Sequence, residues 1–304
     1  MSTELRFGIA TLQNRSWEKE AERWRYIEEL GFDSIWVADH FVNYMFPQGP
    51  WMEAWTLLAG LATVTKQIRI GTLVTSIPLR NPAVLARQVL TVDHISGGRL
   101  ELGLGAGVPG SIDPSYRMTG LEDWAPPERV ARFREVVEIV DKCLSDPVTT
   151  YDGRYYKLKE CAMAPPPIQK PRPPITVAAM GKTMLKIAAK YAETWNTYGG
   201  DWGIPPEQIL EGTRKRNQLL DKYCKRIGRD PETLRRSLLY FTPFAEALYE
   251  TEDIFETFIQ QYRDIGITEF ILFYPEWYSE EQLPKFEHIA RKVIPKLRKQ
   301  GHPS

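Results

Sequence analysis

The sequence predicts an α/β fold, a (β/α)8 TIM-like barrel with an insertion, a hairpin plus a Pro-rich segment, between strands four and five. Three observations predict it. Short apolar strands alternate with amphipathic helices eight times along the chain, and crossover helices between strands imply a parallel sheet that closes on itself. No low-complexity tract, repeat or flexible linker interrupts the 304 residues, so a single domain over 1–304 is expected, barrels of this kind reaching roughly 250 residues and more as one unit. Hydrophobic residues make up 43% and charged residues 26%, the balance of a globular chain with a sizeable core.

The elements follow in order. Arg6–Ala10 is the first strand, and the helix from about Ser16 sets Trp17, Ala21, Trp24, Ile27 and Leu30 on one face before Gly31 stops it. Ser34–Ala38 is the second strand and runs straight into Asp39-His40; a helix over Trp51–Val64 follows, then the third strand, Ile68–Val74. Asn81 caps the next helix, Pro82 opens it, and Gly97-Gly98 ends it after Ile95. Arg99–Leu104 is strand four, and Gly105–Pro126 reads as a long rim loop. Helix four carries Val130, Phe133, Val136, Val137 and Val140 at helical spacing.

Val148–Leu158 then alternates as a hairpin around Asp152-Gly153, and Ala164–Pro174 is extended and rich in proline. Too few residues intervene for a separate core. Ile175–Ala179 and Lys182–Tyr191 form the fifth strand and helix, Thr194–Asn196 and Pro206–Ile227 the sixth. Ser237–Phe241 and Asp253–Asp264 form the seventh pair, Glu269–Phe273 and Glu280–Arg298 the eighth.

Composition excludes several functions. Lys+Arg and Asp+Glu balance at 39 each, so there is no basic footprint for nucleic acid or an anionic membrane. Cys143, Cys161 and Cys224 are too scattered for a disulfide framework or a CxxC motif. Neither a secretory signal nor an apolar run of about 18 residues is present, which points to a cytoplasmic protein. HExxH, GxSxG and Walker-type motifs are missing, so no metal is expected, nor acyl transfer.

In such barrels the chemistry sits where strands end and βα loops begin. His40 stands just past strand two beside Asp39, where an acidic partner tunes basicity and tautomer; the other histidines, His94, His288 and His302, fall in or after helices. After strand three, Thr72 to Pro78 changes abruptly from apolar to hydroxyl residues, which fits a ligand-facing bulge or an ordinary loop. Gly105-Ala-Gly107-Val-Pro-Gly110 spells GxGxxG but opens a Pro-containing loop, so a dinucleotide fingerprint is rejected and the glycines are read as letting a flat ring approach. Ala179-Met180-Gly181-Lys182-Thr183 opens a helix. Its residue types suit a capped helix with a solvated lysine; its place in the second half of a barrel favours a phosphate seat.

Gly31-Phe-Asp-Ser-Ile-Trp-Val-Ala-Asp-His-Phe41 resembles the second-strand signature of bacterial-luciferase-like monooxygenases and coenzyme F-420-dependent oxidoreductases. So do Ile70-Gly-Thr72, Arg80–Ala86, Thr91–Arg99 and Leu102–Gly107, while Pro173–Ile175, Gly181 and Ala189–Asn196 resemble that family's phosphate-binding strand, helix and next strand. The resemblance covers nearly the whole chain in order. It implies FMN or the deazaflavin coenzyme F-420 across the C-terminal mouth, with Asp39 and His40 facing the ring as catalytic groups. It also implies a non-proline cis peptide near Leu73–Val74 in a bulge from Thr72 to Thr75, Gly105, Ala106 and Gly107 lining the ring, and Ala179 to Thr183 holding the phosphate. Sugar-phosphate dehydrogenases of the family carry glutamate where this chain has Val108, which turns the reading away from a sugar phosphate and leaves the acid role vacant or filled from the loops.

Three functions follow from the resemblance. The favoured one is F-420-dependent hydride transfer to or from a small organic substrate. Second is a two-component FMN monooxygenase using reduced flavin from a separate reductase and oxygen, and third a barrel that only binds flavin. The substrate would lie under Asn43–Trp51 and Gly110–Trp124, whose Tyr44, Phe46, Trp51, Tyr116 and Trp124 suggest an apolar or aromatic molecule. A homodimer is compatible with the family.

Overall fold

Apolar periodicity places the elements, and caps and glycines trim their ends. The computed structural model describes residues 4–199, 204–241, 245–275 and 280–300. Eight strands close a parallel barrel: β1 (Arg6–Thr11), β2 (Ser34–Val37), β3 (Arg69–Ser76), β4 (Leu100–Gly105), β7 (Ile175–Ala178), β8 (Thr194–Tyr198), β9 (Arg235–Tyr240) and β10 (Glu269–Phe273). Their order is β1-β10-β9-β8-β7-β4-β3-β2. The inserted hairpin, β5 (Val148–Asp152) with β6 (Lys157–Ala162), is a separate antiparallel pair. Helix α1 (Trp17–Glu29) follows β1. The chain divides into two compact units, one of Met1–Thr11, Tyr26–Ile35 and Ala178–Ser304, the other of Leu12–Arg25 and Trp36–Val177.

In the second of these units β3 pairs with β4 from Ile70↔Leu100 to Ser76↔Gly105, and one extra residue of β3 is accommodated between Thr72 and Thr75. That bulge contains a non-proline cis peptide at Leu73–Val74, the position expected from the resemblance. Two glycines of β4 make room for it. A Cβ on Gly103 would lie 1.9 Å from the Thr72 carbonyl oxygen, and one on Gly105 2.2 Å from Val74 Cγ2. Thr72 and Thr75 join their hydroxyls at 2.7 Å beneath the bulge, and Thr72 Oγ1 also donates to the Gly103 carbonyl at 3.2 Å.

Around these strands lie α2 (Ala54–Val64), α3 (Pro82–Ser96), the short α4 (Ser115–Thr119) and α5 (Pro126–Ser145). Helix α2 begins at Ala54 rather than Trp51, because the Glu53 carboxylate accepts from the Trp55 and Thr56 amides and fixes the cap there. The Pro-rich segment docks on α3. Asp93, fully buried, accepts from the amides of Ile168 and Gln169, and Arg87 and His94 donate to the carbonyls of Ala162, Ala164 and Pro166. Prolines lack an N–H but keep a carbonyl, so such a segment needs donors from a neighbour.

In the other unit β10 pairs with β1 in the register Phe7↔Phe270 and with β9 in the register Phe270↔Leu238, while β8 pairs with β9. Phe7 stacks on Phe270 and Phe255 at 5.8 and 6.2 Å between ring centres. Helices α6 (Lys182–Tyr191), α7 (Pro206–Arg226), α8 (Glu252–Arg263), α9 (Leu283–His288) and α10 (Ile294–Gln300) belong here. The sequence reads Glu280–Arg298 as one helix; the structure has a 3-10 turn at Glu280–Gln282 and a π-helical stretch, Ile289–Val293, between α9 and α10. Pro295 explains that stretch, since its ring displaces the carbonyl one turn back and it offers no N–H to the ladder.

Substituting Gly103→Ala should lower the unfolding free energy by about 3 kcal/mol or more, because the new Cβ meets backbone rather than a movable side chain. Urea denaturation checks it. Wild-type stability would mean that the bulge does not need the close approach.

Candidate functional site

The first two residues beyond β2 and its extension point opposite ways, as successive residues of extended chain do. Asp39, 1% exposed, gives its oxygens to Arg80 (Nη2–Oδ1 2.5 Å, Nε–Oδ2 3.0 Å) and to the Ser76 amide at 3.3 Å. Arg80 in turn reaches Glu53 at 2.5 Å, so the end of β2, the end of β3 and the start of α2 are joined through one guanidinium. Burial opposes the Arg80 charge, but its hydrogen bonds to Asp39 and Glu53 hold it protonated above the ordinary arginine range. Burial likewise pushes the Asp39 carboxyl up, against the pull of Arg80. Gln13, fully buried, donates to the Ala38 carbonyl and fastens the chain after β1 to the same place.

Asp39 is therefore not the acidic partner of His40. That partner is Asp113, 73 residues further on: His40 Nδ1 lies 2.7 Å from Asp113 Oδ2. Burial raises the Asp113 carboxyl, yet the hydrogen bonds from His40 and Ser115 outweigh it and hold the group below its ordinary value. An ionised carboxylate only accepts, so Nδ1 carries the proton and the ring's lone pair is at Nε2 whenever the imidazole is neutral. Among the described residues Nε2 has no hydrogen-bond partner. The His40 side chain is 21% exposed, Tyr44 lies tilted against it at 5.1 Å, and the Trp51 indole donates to the His40 carbonyl at 2.9 Å.

The loop that brings Asp113 to His40 is braced along its length. The Ser115 amide donates to Asp113 Oδ1 at 2.8 Å, and Phe41 N donates to Ser115 Oγ at 3.3 Å. The Tyr116 hydroxyl donates to the Val108 carbonyl at 2.8 Å, and Asp123 accepts from the Gly110 amide at 2.9 Å. Arg129, buried, pairs with Asp123 and donates to the Trp124 carbonyl at 3.0 Å, while Arg132 sits between Trp124 and Tyr155 at 4.4 and 4.3 Å from the rings. Phe41 and Ile112, next in sequence to the two members of the pair, are 53% and 55% exposed.

The remaining predicted positions divide by unit. Thr72, Leu73, Val74 and Thr75 make the bulge beside β4. The space next to Gly105 is filled by Val74, and that next to Gly107 (φ +82°) by the Tyr116 hydroxyl and Pro78, so these glycines answer to protein neighbours; Ala106 lies between them, half-buried. In the other unit Ala179 is pinned by its amide to Asn196 and by its carbonyl to the Trp195 indole (2.8 Å). Gly181 caps α6 without a side-chain acceptor, and Lys182 and Thr183 open the first turn, both exposed. Gly181 differs from the β4 glycines: its φ is −87° and an added Cβ would meet nothing within 4 Å. As an N-cap without a side chain it leaves the amides of the first turn without a side-chain acceptor.

Sequence reading missed Asp113, Arg80, Glu53 and Arg129. Asp113-Pro114 before Ser115 is a helix-start signal that locates α4, but nothing in the chain links it to His40. Among the described residues no cluster of three or more His, Cys, Asp or Glu is arranged to hold a metal, and no helix is long and apolar enough to cross a membrane.

The profile of the luciferase-like monooxygenases matches residues 2–298. The chain belongs to that family. It is 29% identical over 74% of its length to an F-420-dependent glucose-6-phosphate dehydrogenase of Amycolatopsis mediterranei and 30% identical over 80% to that of Microbacterium testaceum. The matched segments span 66% and 70% of those relatives, so the chain aligns with about two thirds of their length. A 5,10-methylenetetrahydromethanopterin reductase of Methanopyrus kandleri is 28% identical over 72% of this chain and 63% of its own. Among solved structures, an F-420-dependent secondary alcohol dehydrogenase superposes with a TM-score of 0.79, 19% identity and coverage of 95% of this chain and 99% of its own. A long-chain alkane monooxygenase does so at 0.77, with 15% identity and coverage of 100% and 93%. These likenesses establish the barrel fold, and the relatives are oxidoreductases.

An acid held below its ordinary value stabilises the fold above that value and loses its contribution as pH falls toward the folded one. The stability gap between wild type and Asp113→Asn should thus be constant near neutrality and narrow between about pH 5 and about pH 3. Unfolding titrations at several pH values read this directly. A gap independent of pH would show that the Asp113 charge contributes nothing.

Proposed function

We propose that the protein is a coenzyme F-420-dependent oxidoreductase, transferring hydride to or from a small apolar or aromatic organic molecule. The observation that carries this reading is the His40–Asp113 pair, a half-buried imidazole with a fixed tautomer and a free Nε2, in a chain whose relatives include F-420-dependent enzymes.

The residues fit the group. Gly181, Lys182 and Thr183 suit a phosphate: the helix terminus contributes about half a positive charge and the lysine a full one. Leu73, Val74 and the hydroxyl-bearing Thr72 and Thr75 suit the support of a planar ring, with Asp39 holding that bulge through Ser76 and Arg80. Bound, the deazaflavin supplies the carbon that gives or receives hydride. His40 does the complementary work. Nε2 delivers a proton to, or removes it from, a substrate oxygen, while Asp113 keeps the ring oriented and steadies the imidazolium form. Asp39, buried and paired with Arg80, positions rather than exchanges protons. Phe41, Ile112 and Phe46, each more than half exposed, favour an apolar or aromatic substrate beside that nitrogen, and Val108 offers no acid there.

Fluorescence-quenching titrations with coenzyme F-420, FMN and NADPH test the cofactor, and tight binding of F-420 is the expected result. Tight NADPH binding with neither of the others would overturn the reading; tight FMN binding alone would replace it with a flavin monooxygenase. His40→Ala should then lower turnover at least a hundredfold, the lower end of what positioned acid–base help contributes, with little change in cofactor affinity. His94→Ala, which loses only a contact to the Pro166 carbonyl, should leave turnover intact. A dead His94 variant beside a normal His40 variant would put the chemistry elsewhere.

A further inference from the structure

Arg216, on α7, is half-buried and lacks an acid. Its Nε donates to Thr197 Oγ1 at 3.2 Å and its Nη2 to Thr213 Oγ1 at 3.0 Å, two neutral hydroxyls, and no carboxylate among the described residues pairs with it. Several other arginines withdrawn from water are matched, most of them by a carboxylate. Arg80 has Asp39, Arg129 has Asp123, Arg172 has Asp141 and Arg236 has Asp221, while Arg99 and Arg229 donate to backbone carbonyls in the last turns of α2 and α6 (Ala62 and Ala189). A guanidinium taken partly out of water without a counter-charge is costly, and burial pushes its ionisation down.

The surroundings keep room for it. Gly212 lies one turn earlier in α7, where glycine costs a helix about 1 kcal/mol relative to alanine. A Cβ there would come within 3.3 Å of Arg216 Nη1, so the glycine leaves space beside the nitrogen that has no partner. Thr197 Oγ1, which the guanidinium approaches, is 3.5 Å from Met180 Sδ, and Met180 directly precedes the Gly181 cap of α6.

The geometry points to Arg216 as the cationic partner of a phosphate group seated at the N-terminus of α6, its planar fork supplying the charge-assisted hydrogen bonds that the helix amides alone do not. The inference rests on the reading of a phosphorylated deazaflavin or flavin as cofactor, and the phosphate is assigned to that cofactor. Lys182 is exposed and tethered to the same turn, whereas Arg216 is half-buried with threonine hydroxyls as its partners.

The test compares wild type with Arg216→Met and Arg216→Lys, each first shown to keep the wild-type melting temperature, or to recover it in the lysine variant. Quenching titrations use FMN against riboflavin, and coenzyme F-420 against its chromophore lacking phosphate and tail. Arg216→Met should weaken the phosphorylated ligands at least tenfold and leave the unphosphorylated ones within twofold, with Arg216→Lys between. Equal weakening of both, or of neither, overturns the assignment. Inorganic phosphate separates this from failure of the functional reading. If no chromophore binds wild type, that reading falls; protection of wild type by phosphate against thermal unfolding, lost in Arg216→Met, still upholds Arg216 as an anion ligand. Phosphate protection equal in both, or absent from both, overturns it.

Discussion

Asp39 is fully buried, and a buried carboxylate must be paired and hydrogen-bonded or it unfolds what surrounds it. The pairing with Arg80 and Ser76 meets that demand in a way that fixes geometry. It ties the residue after β2 to the end of β3, and the same guanidinium reaches the cap of α2 through Glu53. His40 is the next residue along, so its backbone inherits that rigidity. The bulge in β3 is locked from the other side, where Gly103 and Gly105 admit the Thr72 carbonyl and Val74. The backbone on which the His40 imidazole stands is thus set by an ion pair it does not share.

The carboxylate that governs His40 comes from a different kind of element. Asp113 sits in the chain between β4 and α5, which has no strand ladder to hold it. Its position comes instead from the Ser115 amide at the start of a short helix, from Tyr116 on the Val108 carbonyl, and from Arg129 and Asp123 at the far end of the loop. Orientation of an imidazole by a carboxylate from a loop leaves the substrate side open to variation in that loop. Loops tolerate such variation better than strands do, and the relatives of this chain include a glucose-6-phosphate dehydrogenase and a methylenetetrahydromethanopterin reductase.

What was legible in the sequence follows from the range of each signal. Period-2 and period-3.6 apolar patterns are local and strong, so the eight strand–helix pairs and the hairpin insertion could be read directly, with ends shifted where Glu53 or Pro295 decides them. His40 could be placed because the end of a strand is a local feature. Its partner could not, since a hydrogen bond across 73 residues leaves no trace in either neighbourhood, and adjacency drew attention to Asp39, which extended geometry sends the other way. Glycine is equally mute about what approaches it. An added Cβ would meet Val74 at Gly105 and Tyr116 and Pro78 at Gly107, yet nothing within 4 Å at Gly181, and no local pattern announces the difference.

The account turns on which nitrogen of His40 is free, and nitrogen-15 NMR of the histidine-labelled protein measures that most directly. At a pH where the ring is neutral, His40 should show a protonated Nδ1 and an unprotonated Nε2, the tautomer that free imidazole side chains disfavour, and Asp113→Ala should release it to the usual mixture. A wild-type His40 protonated at Nε2 while neutral, unchanged by loss of Asp113, would contradict the pairing and the proton-transfer role built on it.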